Sequence, residues 1–455
     1  MGFTRLEYPI FLAIVAVVAW RFSSTQSRHT WLLGASYYFY AFWDYRFCGL
    51  LVLSTMVDYA IGRYLDSRHA RHRGLALATS LVFNLGLLST FKYANFFINS
   101  ATAVLAPMGL GTGSLSVVLP VGISFYTFQT MSYSIDVYRR KIPACRSFLD
   151  FALYVSFFPQ LVAGPIVRAS ELMPQLQCTP EFSRRRLYGG LQMILRGAVK
   201  KILLADRLGE FVDVVYEGPE LYSGGTLLLV SIAYAGQIYY DFSGYSDMAI
   251  GSAKVLGYHF PINFRHPYLS TSPSEFWRRW HMTLSRWLKD YLYIPLGGSR
   301  SGEKRTTLNL LTTMVLGGLW HGAAWRFVFW GGLHGMALAA TRRARWIHQP
   351  IVGWLFTIAV VLLGWILFRA ETYTDALTVV GGISTWQTGL RWYPPLVLLV
   401  LSLMCIDHIA WRTPLRRTMR LPINRWYSPI VTTIAIWCLI AYSPTGYRPF
   451  VYFQF

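Results

Sequence analysis

The stretch LNLLTTMVLGGLWHGAAWRFVFWGGLHGMALAA, Leu308–Ala340, contains a single permanently charged residue, Arg326. A helix on the surface of a soluble core shows a polar face, and this run has none. It is long enough to cross a bilayer, which takes about 20 apolar residues in an upright helix. Inside it sit His321, in Gly317-Gly-Leu-Trp-His-Gly-Ala-Ala-Trp325, and His334, in Gly331-Gly-Leu-His-Gly335. An ionisable side chain at membrane depth is costly and marks a functional site by default.

Working outward, similar runs occur at about Tyr8 to Phe22, Trp31 to Leu65, Leu75 to Ile98, Leu115 to Tyr138, Phe148 to Val167, Leu187 to Val215 and Thr226 to Leu256. They resume at Ile351 to Phe368, Pro394 to Ile409 and Ile430 to Tyr442. The spacing predicts an all-α polytopic membrane protein with roughly ten to twelve crossings. Composition agrees: of 455 residues 54% are hydrophobic and 14% charged, and the mean hydropathy is +0.36. The first run precedes further spans and shows no small-residue cleavage site, so it reads as a retained helix.

A net charge of +21 could serve nucleic acid, but the basic residues occupy short inter-helix loops and not one soluble face. Positive-inside bias accounts for them. Arg63, Arg68, Arg71 and Arg73 mark one cytoplasmic loop and Arg139, Arg140 and Lys141 another, with the uncharged Ser100 to Ser116 facing outward. Arg184 to Arg186, Arg342 to Arg345 and Arg412 to Arg420 join the cytoplasmic set. Trp43-Asp-Tyr-Arg46 threatens to break the second run, which leaves the side of the N-terminus open.

Two stretches depart from plain spans. Phe157-Phe-Pro-Gln-Leu-Val-Ala-Gly-Pro165 puts two prolines and a glycine into an apolar run, so it is expected to be a broken, re-entrant piece or a kinked span. The middle, about Gly257 to Lys304, is too polar to cross simply and reads as loops and short interfacial helices. From Ser274 to Leu292 its spacing is helical, capped by Ser272 or Ser274, with Trp277, His281 and Leu284 on one stripe. Such a helix places indoles at headgroup depth and basic residues toward phosphate, as an amphipathic anchor or as part of a site.

The candidate chemistry is acid/base. Imidazole moves protons near neutral pH, and His281 and His321 both stand in tryptophan-rich surroundings. Gly318-Leu-Trp-His-Gly322 has the small-xxx-small spacing that lets another helix approach closely, so packing is the plain alternative for His321. Trp325, one turn further on the same face, would wall a narrow pocket. Asp241 and Asp247 are acids in an apolar span, expected to pair with a cation such as Arg278 or Arg279. The five cysteines form no CxxC pair and have no metal-ligand spacing. There is no GxSxG, Walker, GxGxxG or HExxH pattern, which removes support for covalent-hydrolase, nucleotide-driven and zinc mechanisms, and no metal is expected. No internal repeat is visible, which weakens a transporter reading.

Further motifs are Phe91-Lys-Tyr-Ala-Asn-Phe-Phe97, Leu119-Pro-Val-Gly-Ile-Ser-Phe-Tyr-Thr-Phe-Gln129, Tyr240-Asp-Phe-Ser-Gly-Tyr-Ser-Asp247, Glu275-Phe-Trp-Arg-Arg-Trp-His-Met-Thr-Leu-Ser285, Asp290-Tyr-Leu-Tyr-Ile-Pro-Leu-Gly-Gly298 and the closing Tyr452-Phe-Gln-Phe455. With these, the chain resembles the membrane-bound O-acyltransferase superfamily, and within it the bacterial alginate O-acetyltransferase branch. The resemblance covers nearly the whole chain, so residues 1–455 are expected to form one membrane domain. It implies helices around a central acyl-transfer tunnel, entered by a donor from the cytoplasmic side and an acceptor from the outer side, in the bacterial inner membrane.

The same resemblance implies His321 as the catalytic histidine and His281 as the second motif residue. Around them, Trp280, Trp320, Trp325, Asp241, Arg278, Arg279 and Lys289 are candidate substrate contacts, the basic ones for phosphates of a coenzyme A donor or of lipid. It implies no tightly bound cofactor, acetyl-CoA or another acyl thioester as donor, and a polysaccharide acceptor or periplasmic acetyltransferase partner. Some loops look shorter than in alginate-specific members, so the polymer stays open. A teichoic-acid D-alanylation type of transfer, from a carrier-protein thioester, is the second enzyme reading, and a polymer transporter the third.

Overall fold

The computed structural model describes residues 2–108, 113, 115, 118–161, 164–411, 426–442 and 448–451. The basic cluster Arg412 to Arg420, the closing Tyr452 to Phe455, and Val162 and Ala163 of the proline-rich motif lie outside the described residues. Among the described residues the secondary structure is helical, with one isolated bridge between Tyr222 and Leu390. Among the described residues two helices are long and apolar enough to cross a membrane, Arg73–Met108 and Pro350–Arg369, and Glu7–Ala19, Pro395–Trp411 and Tyr427–Ala441 are shorter apolar helices.

The chain gathers into two compact units, Met1–Gln192 with Ala249–Pro261, and Met193–Met248 with Ile262–Phe455. The first holds α1 (Glu7–Ala19), α2 (Thr25–Asp44), α3 (Cys48–Asp66), α4 (Arg73–Leu88), α5 (Ala94–Leu105) and α6 (Ile123–Tyr138). After them come α7 (Phe148–Ser156), α8 (Phe158–Leu161) and α9 (Ala169–Leu176). The chain passes between the units within α10 (Arg184–Ala198) and α12 (Gly224–Val255), with α11 (Asp206–Tyr216) between them. The second unit continues with α13 (Pro273–Arg279), α14 (Met282–Leu288), α15 (Glu303–His321), α16 (Trp325–Thr341) and α17 (Pro350–Arg369). It closes with α18 (Tyr373–Ser384), α19 (Pro395–Trp411) and α20 (Tyr427–Ala441).

In the first unit the expected break at Trp43 to Arg46 is present. Asp44 accepts hydrogen bonds from the backbone and side chain of Arg46, and a 3-10 turn, Tyr45–Phe47, separates α2 from α3. The proline-rich stretch is broken too: α7 ends at Ser156, and the single turn of α8 carries Pro159, buried throughout. Between α3, α4 and α6 the fully buried Asp58 carboxylate accepts from Ser80 Oγ at 2.5 Å, Asn84 Nδ2 at 2.7 Å and Ser134 Oγ at 2.9 Å. A buried carboxylate needs such donors, and here α4 and α6 supply them.

In the second unit α15 and α16 form an antiparallel hairpin joined by Gly322, Ala323 and Ala324. Their close approach depends on glycine. A methyl group on Gly318 would fall onto the Phe327 carbonyl oxygen and stand 3.3 Å from Gly331 Cα. The small-residue spacing read around His321 therefore serves this hairpin. The middle segment differs from the single helix expected over Ser274 to Leu292. Ser272 does cap it, its Oγ accepting from Glu275 N at 3.2 Å, but the helix stops at Arg279. Trp280 is extended (φ −100°, ψ 132°), and His281 takes a left-handed conformation (φ 40°, ψ 54°). The stripe of Trp277, His281 and Leu284 is lost. The break is stabilised because Met282 N donates to Asn263 O (2.9 Å) and Thr283 N to Asn263 Oδ1 (3.2 Å), which satisfies donors at the new helix start from outside the helix.

Candidate active site

Both motif histidines are in the second unit, and both are buried, His281 at 0% and His321 at 3% exposure. Their ring centroids are 6.4 Å apart. With hydrogen-bond reach of about 2.6 to 3.2 Å from a ring nitrogen, one oxygen atom can lie within range of both rings.

His281 is seated by polar contacts. Its Nδ1 lies 3.1 Å from Asn263 Oδ1, which also accepts from Thr283 N at 3.2 Å and Thr283 Oγ1 at 3.0 Å. A backbone N–H can only donate, so the Thr283 amide fixes the Asn263 oxygen toward this corner. The proton of neutral His281 therefore sits on Nδ1, and the lone pair on Nε2. Nε2 is buried and has no hydrogen-bond partner among the described residues. In this tautomer it accepts a hydrogen bond and does not donate one. Asn263 Nδ2 is anchored on Ser246 Oγ at 3.4 Å, and Phe242 meets the imidazole edge-on at 4.6 Å.

His321 is seated by rings at the end of α15. Trp330 lies edge-on at 5.1 Å, Phe368 at 5.7 Å and Trp320 at 5.1 Å. Trp320 bridges the pair, standing 5.9 Å from His281. The imidazole faces protein and not hydrocarbon. His334, also buried, packs against Trp277 at 5.1 Å and against Trp330 at 4.8 Å, the same indole that walls His321.

The other expected residues divide. Trp280 is buried and stacks on Phe276 (5.7 Å, 12°) and against Trp365 (4.9 Å), backing the site. Trp325 does not share a helical face with His321: α15 ends at His321, α16 begins at Trp325, and the indole is 52% exposed. Asp241 does not pair with Arg278 or Arg279. Lys201 holds it at 2.5 Å, with Asp206 on the same ammonium at 2.7 Å, and Val451 N donates to its other oxygen at 2.8 Å. Asp247 likewise takes Arg196 (3.0 Å) and Lys200 (2.9 Å). These cations come from α10 and the π-helical turn Val199–Ala205, on the N-terminal side of α12, and not from the middle segment that follows it. Arg279 pairs with Glu275 at 2.7 Å, Arg278 bonds Ser274 Oγ at 2.9 Å, and Lys289 is exposed. Partial burial penalises the Glu275 carboxylate, but the Thr271 amide and Arg279 outweigh it and hold its pKa below the usual range.

Two polar cavities lie at opposite ends of the α15–α16 hairpin. One, of about 550 Å³, is lined by Ser274 and Arg278 of α13 and by Leu310, Leu338, Thr341 and Arg342. The other, of about 540 Å³, is lined by Asp213, Tyr234, Gln237, Arg326, Arg369 and Glu371. Arg326 and Arg369 directly adjoin Phe327 and Phe368, whose rings meet beside His321 at 4.9 Å. Asn263, Trp330 and Phe368 were not among the expected residues. A lone asparagine in Pro261-Ile-Asn-Phe264 carries no periodic or motif signal, and the two aromatic residues read as ordinary span residues.

The sequence profile of the membrane-bound O-acyltransferase family matches residues 143–370. A probable alginate O-acetylase of Pseudomonas putida is 38% identical over 100% of this chain and 99% of its own length. A peptidoglycan O-acetyltransferase of Helicobacter pylori is 38% identical over 78% of this chain and 73% of its own. A teichoic acid D-alanyltransferase of Streptococcus thermophilus is 29% identical over 50% of this chain and 57% of its own.

Proposed function

We propose, from the premise that this chain belongs to the membrane-bound O-acyltransferase family and is an O-acyltransferase, that it moves an acetyl group from a cytoplasmic thioester to a hydroxyl on the outer side of the bacterial inner membrane. The acceptor is an exported polysaccharide or a periplasmic partner that completes the transfer, and the chain crosses the membrane roughly ten to twelve times. The observation that carries the reading is the pair of buried imidazoles, 6.4 Å apart, one of them on a helix hairpin that has a polar cavity at each end.

In the chemistry, a hydroxyl is a poor nucleophile at neutral pH and needs a base in hydrogen-bond reach. His321 takes the proton as the oxygen attacks the thioester carbonyl. The tetrahedral intermediate then expels the thiolate, and the imidazolium returns the proton to sulfur. Such help is worth about 10² to 10⁴ in rate, and positioning and oxyanion donors supply the rest. His281, its Nδ1–H engaged by Asn263, offers a lone pair at Nε2, which suits orienting the acceptor hydroxyl better than donating to an oxyanion. Arg278 and Arg342 face the donor cavity, where phosphates of coenzyme A would be met, and Arg326 and Arg369 the acceptor cavity. The enclosing rings exclude water, which would otherwise hydrolyse the thioester.

Proteoliposomes holding the full chain test the donor. Acetyl-CoA supplied on the face bearing Arg342 is expected to yield an acetylated acceptor in the wild type and none with His321→Ala. Transfer from a carrier-protein thioester alone would replace this donor with the D-alanylation type. Wild-type transfer by His321→Ala would reject the assignment.

A further inference from the structure

Apart from the histidine pair, the second unit brings His266, from the segment before α13, against Asp407 and His408 at the end of α19. One ring nitrogen of each histidine and one carboxylate oxygen lie within 4.8 Å of one another. His266 Nδ1 is 3.4 Å from Asp407 Oδ2, and His408 Nδ1 is 3.8 Å from the same oxygen. We propose that these three residues bind one divalent transition-metal ion of the zinc class.

The donor set and its state both fit. His408 is 4% exposed, and its Nδ1–H donates to the Met404 carbonyl at 2.9 Å. That contact fixes the tautomer with the lone pair on Nε2, the arrangement by which second-shell carbonyls prepare metal-binding histidines. His408 Nε2 has no hydrogen-bond partner among the described residues, and His266 Nδ1 is turned toward the Asp407 carboxylate.

The rings are held in place. His266 stacks on Trp411 at 4.5 Å, His408 meets Tyr239 edge-on at 5.1 Å, and the His266 backbone is kept in the left-handed region at φ 45°. Bonds of about 2.0 to 2.2 Å in tetrahedral geometry put ligand atoms about 3.4 Å apart. The nearest pair already meets this, and the third ligand atom, within 4.8 Å of the others, has the remaining gap to close on binding. Two imidazoles with one carboxylate favour zinc-class ions over magnesium or calcium, which take oxygen. The nearby cations Arg196 and Lys200 make their ion pairs with Asp247 and not with Asp407. His266 is three residues from Asn263, so the ion would tie α19 to the segment that orients His281.

The test uses the full chain, purified in detergent with a non-histidine tag and stripped with chelator, then titrated with Zn(II) and, for its visible spectrum, Co(II). One equivalent is expected to bind to the wild type and to His321→Ala. Because losing a mere second-shell partner costs about 10- to 100-fold in affinity, His266→Ala and Asp407→Asn should each lose at least as much. Asp407→Asn keeps shape at a partly exposed position, so it guards against misfolding, which gel filtration checks. Undiminished binding in both variants, no binding to the wild type, or loss with His321→Ala alone would each overturn the site.

Discussion

His281 and His321 are equally buried but are held by different means. The first sits in a backbone break, with its ring proton committed to an asparagine oxygen that three donors share. The second sits at the end of a long helix, walled by Trp320, Trp330 and Phe368, where the hairpin is closed by glycine. Polar anchoring fixes a tautomer and hence one role for His281. Aromatic walls fix position and dryness and leave the chemistry to the ring itself. Under the proposed mechanism, this difference suits His321 to cycling protons and His281 to presenting a lone pair.

The largest effect should come from exchanging each ring for an amide of similar reach. His321→Gln is expected to abolish transfer, a loss of about 10² to 10⁴ or more, while His281→Gln retains measurable turnover because its side chain can still accept a hydrogen bond. Single-turnover acyl transfer in proteoliposomes reads both. Equal losses would mean that the pair acts as one unit and the division of roles is wrong.

Next in size is Asn263. Asn263→Ala strips the shared acceptor from His281, the Thr283 amide and the Thr283 hydroxyl at once, and unsatisfied buried donors cost about 1 to 3 kcal/mol each. Both thermal stability in detergent and transfer should fall. Asn263→Asp separates the two consequences. It keeps the acceptor but adds a charge that favours the His281 imidazolium, so stability recovers while the acid limb of the pH–rate profile moves to higher pH. An unchanged profile would show that the His281 lone pair takes no part.

How far these features were legible follows from their physical origin. Hydropathy reports helices buried in apolar surroundings, so the helical class was readable from the long runs. The two histidines were readable because a titratable ring amid tryptophans is rare. Periodicity does not report where a helix is capped from elsewhere. The break at Trp280–His281 depends on Asn263, a residue that no helical stripe could connect to it. The partners of Asp241 and Asp247 were misread for the same reason: their cations lie on a π-helical turn and on α10, and sequence spacing cannot rank them against Arg278 and Arg279. Trp325 was placed by extending α15 one turn too far, through Gly322, where the backbone becomes extended.

The smallest effect should come from the rim, where the contrast between the histidines reaches the two cavities. Arg278 borders the cavity beside α13, and its neighbour Ser274 takes one of its hydrogen bonds. An exposed guanidinium facing a phosphate contributes no more than about 1 kcal/mol, so Arg278→Ala should raise KM for the thioester donor about three- to fivefold and leave kcat and the acceptor KM unchanged. Raising salt should erase most of that difference, since exposed charges are screened over about 8 to 10 Å. A change in acceptor KM instead would reverse the assignment of the cavities, and with it the side from which each substrate reaches the histidine pair.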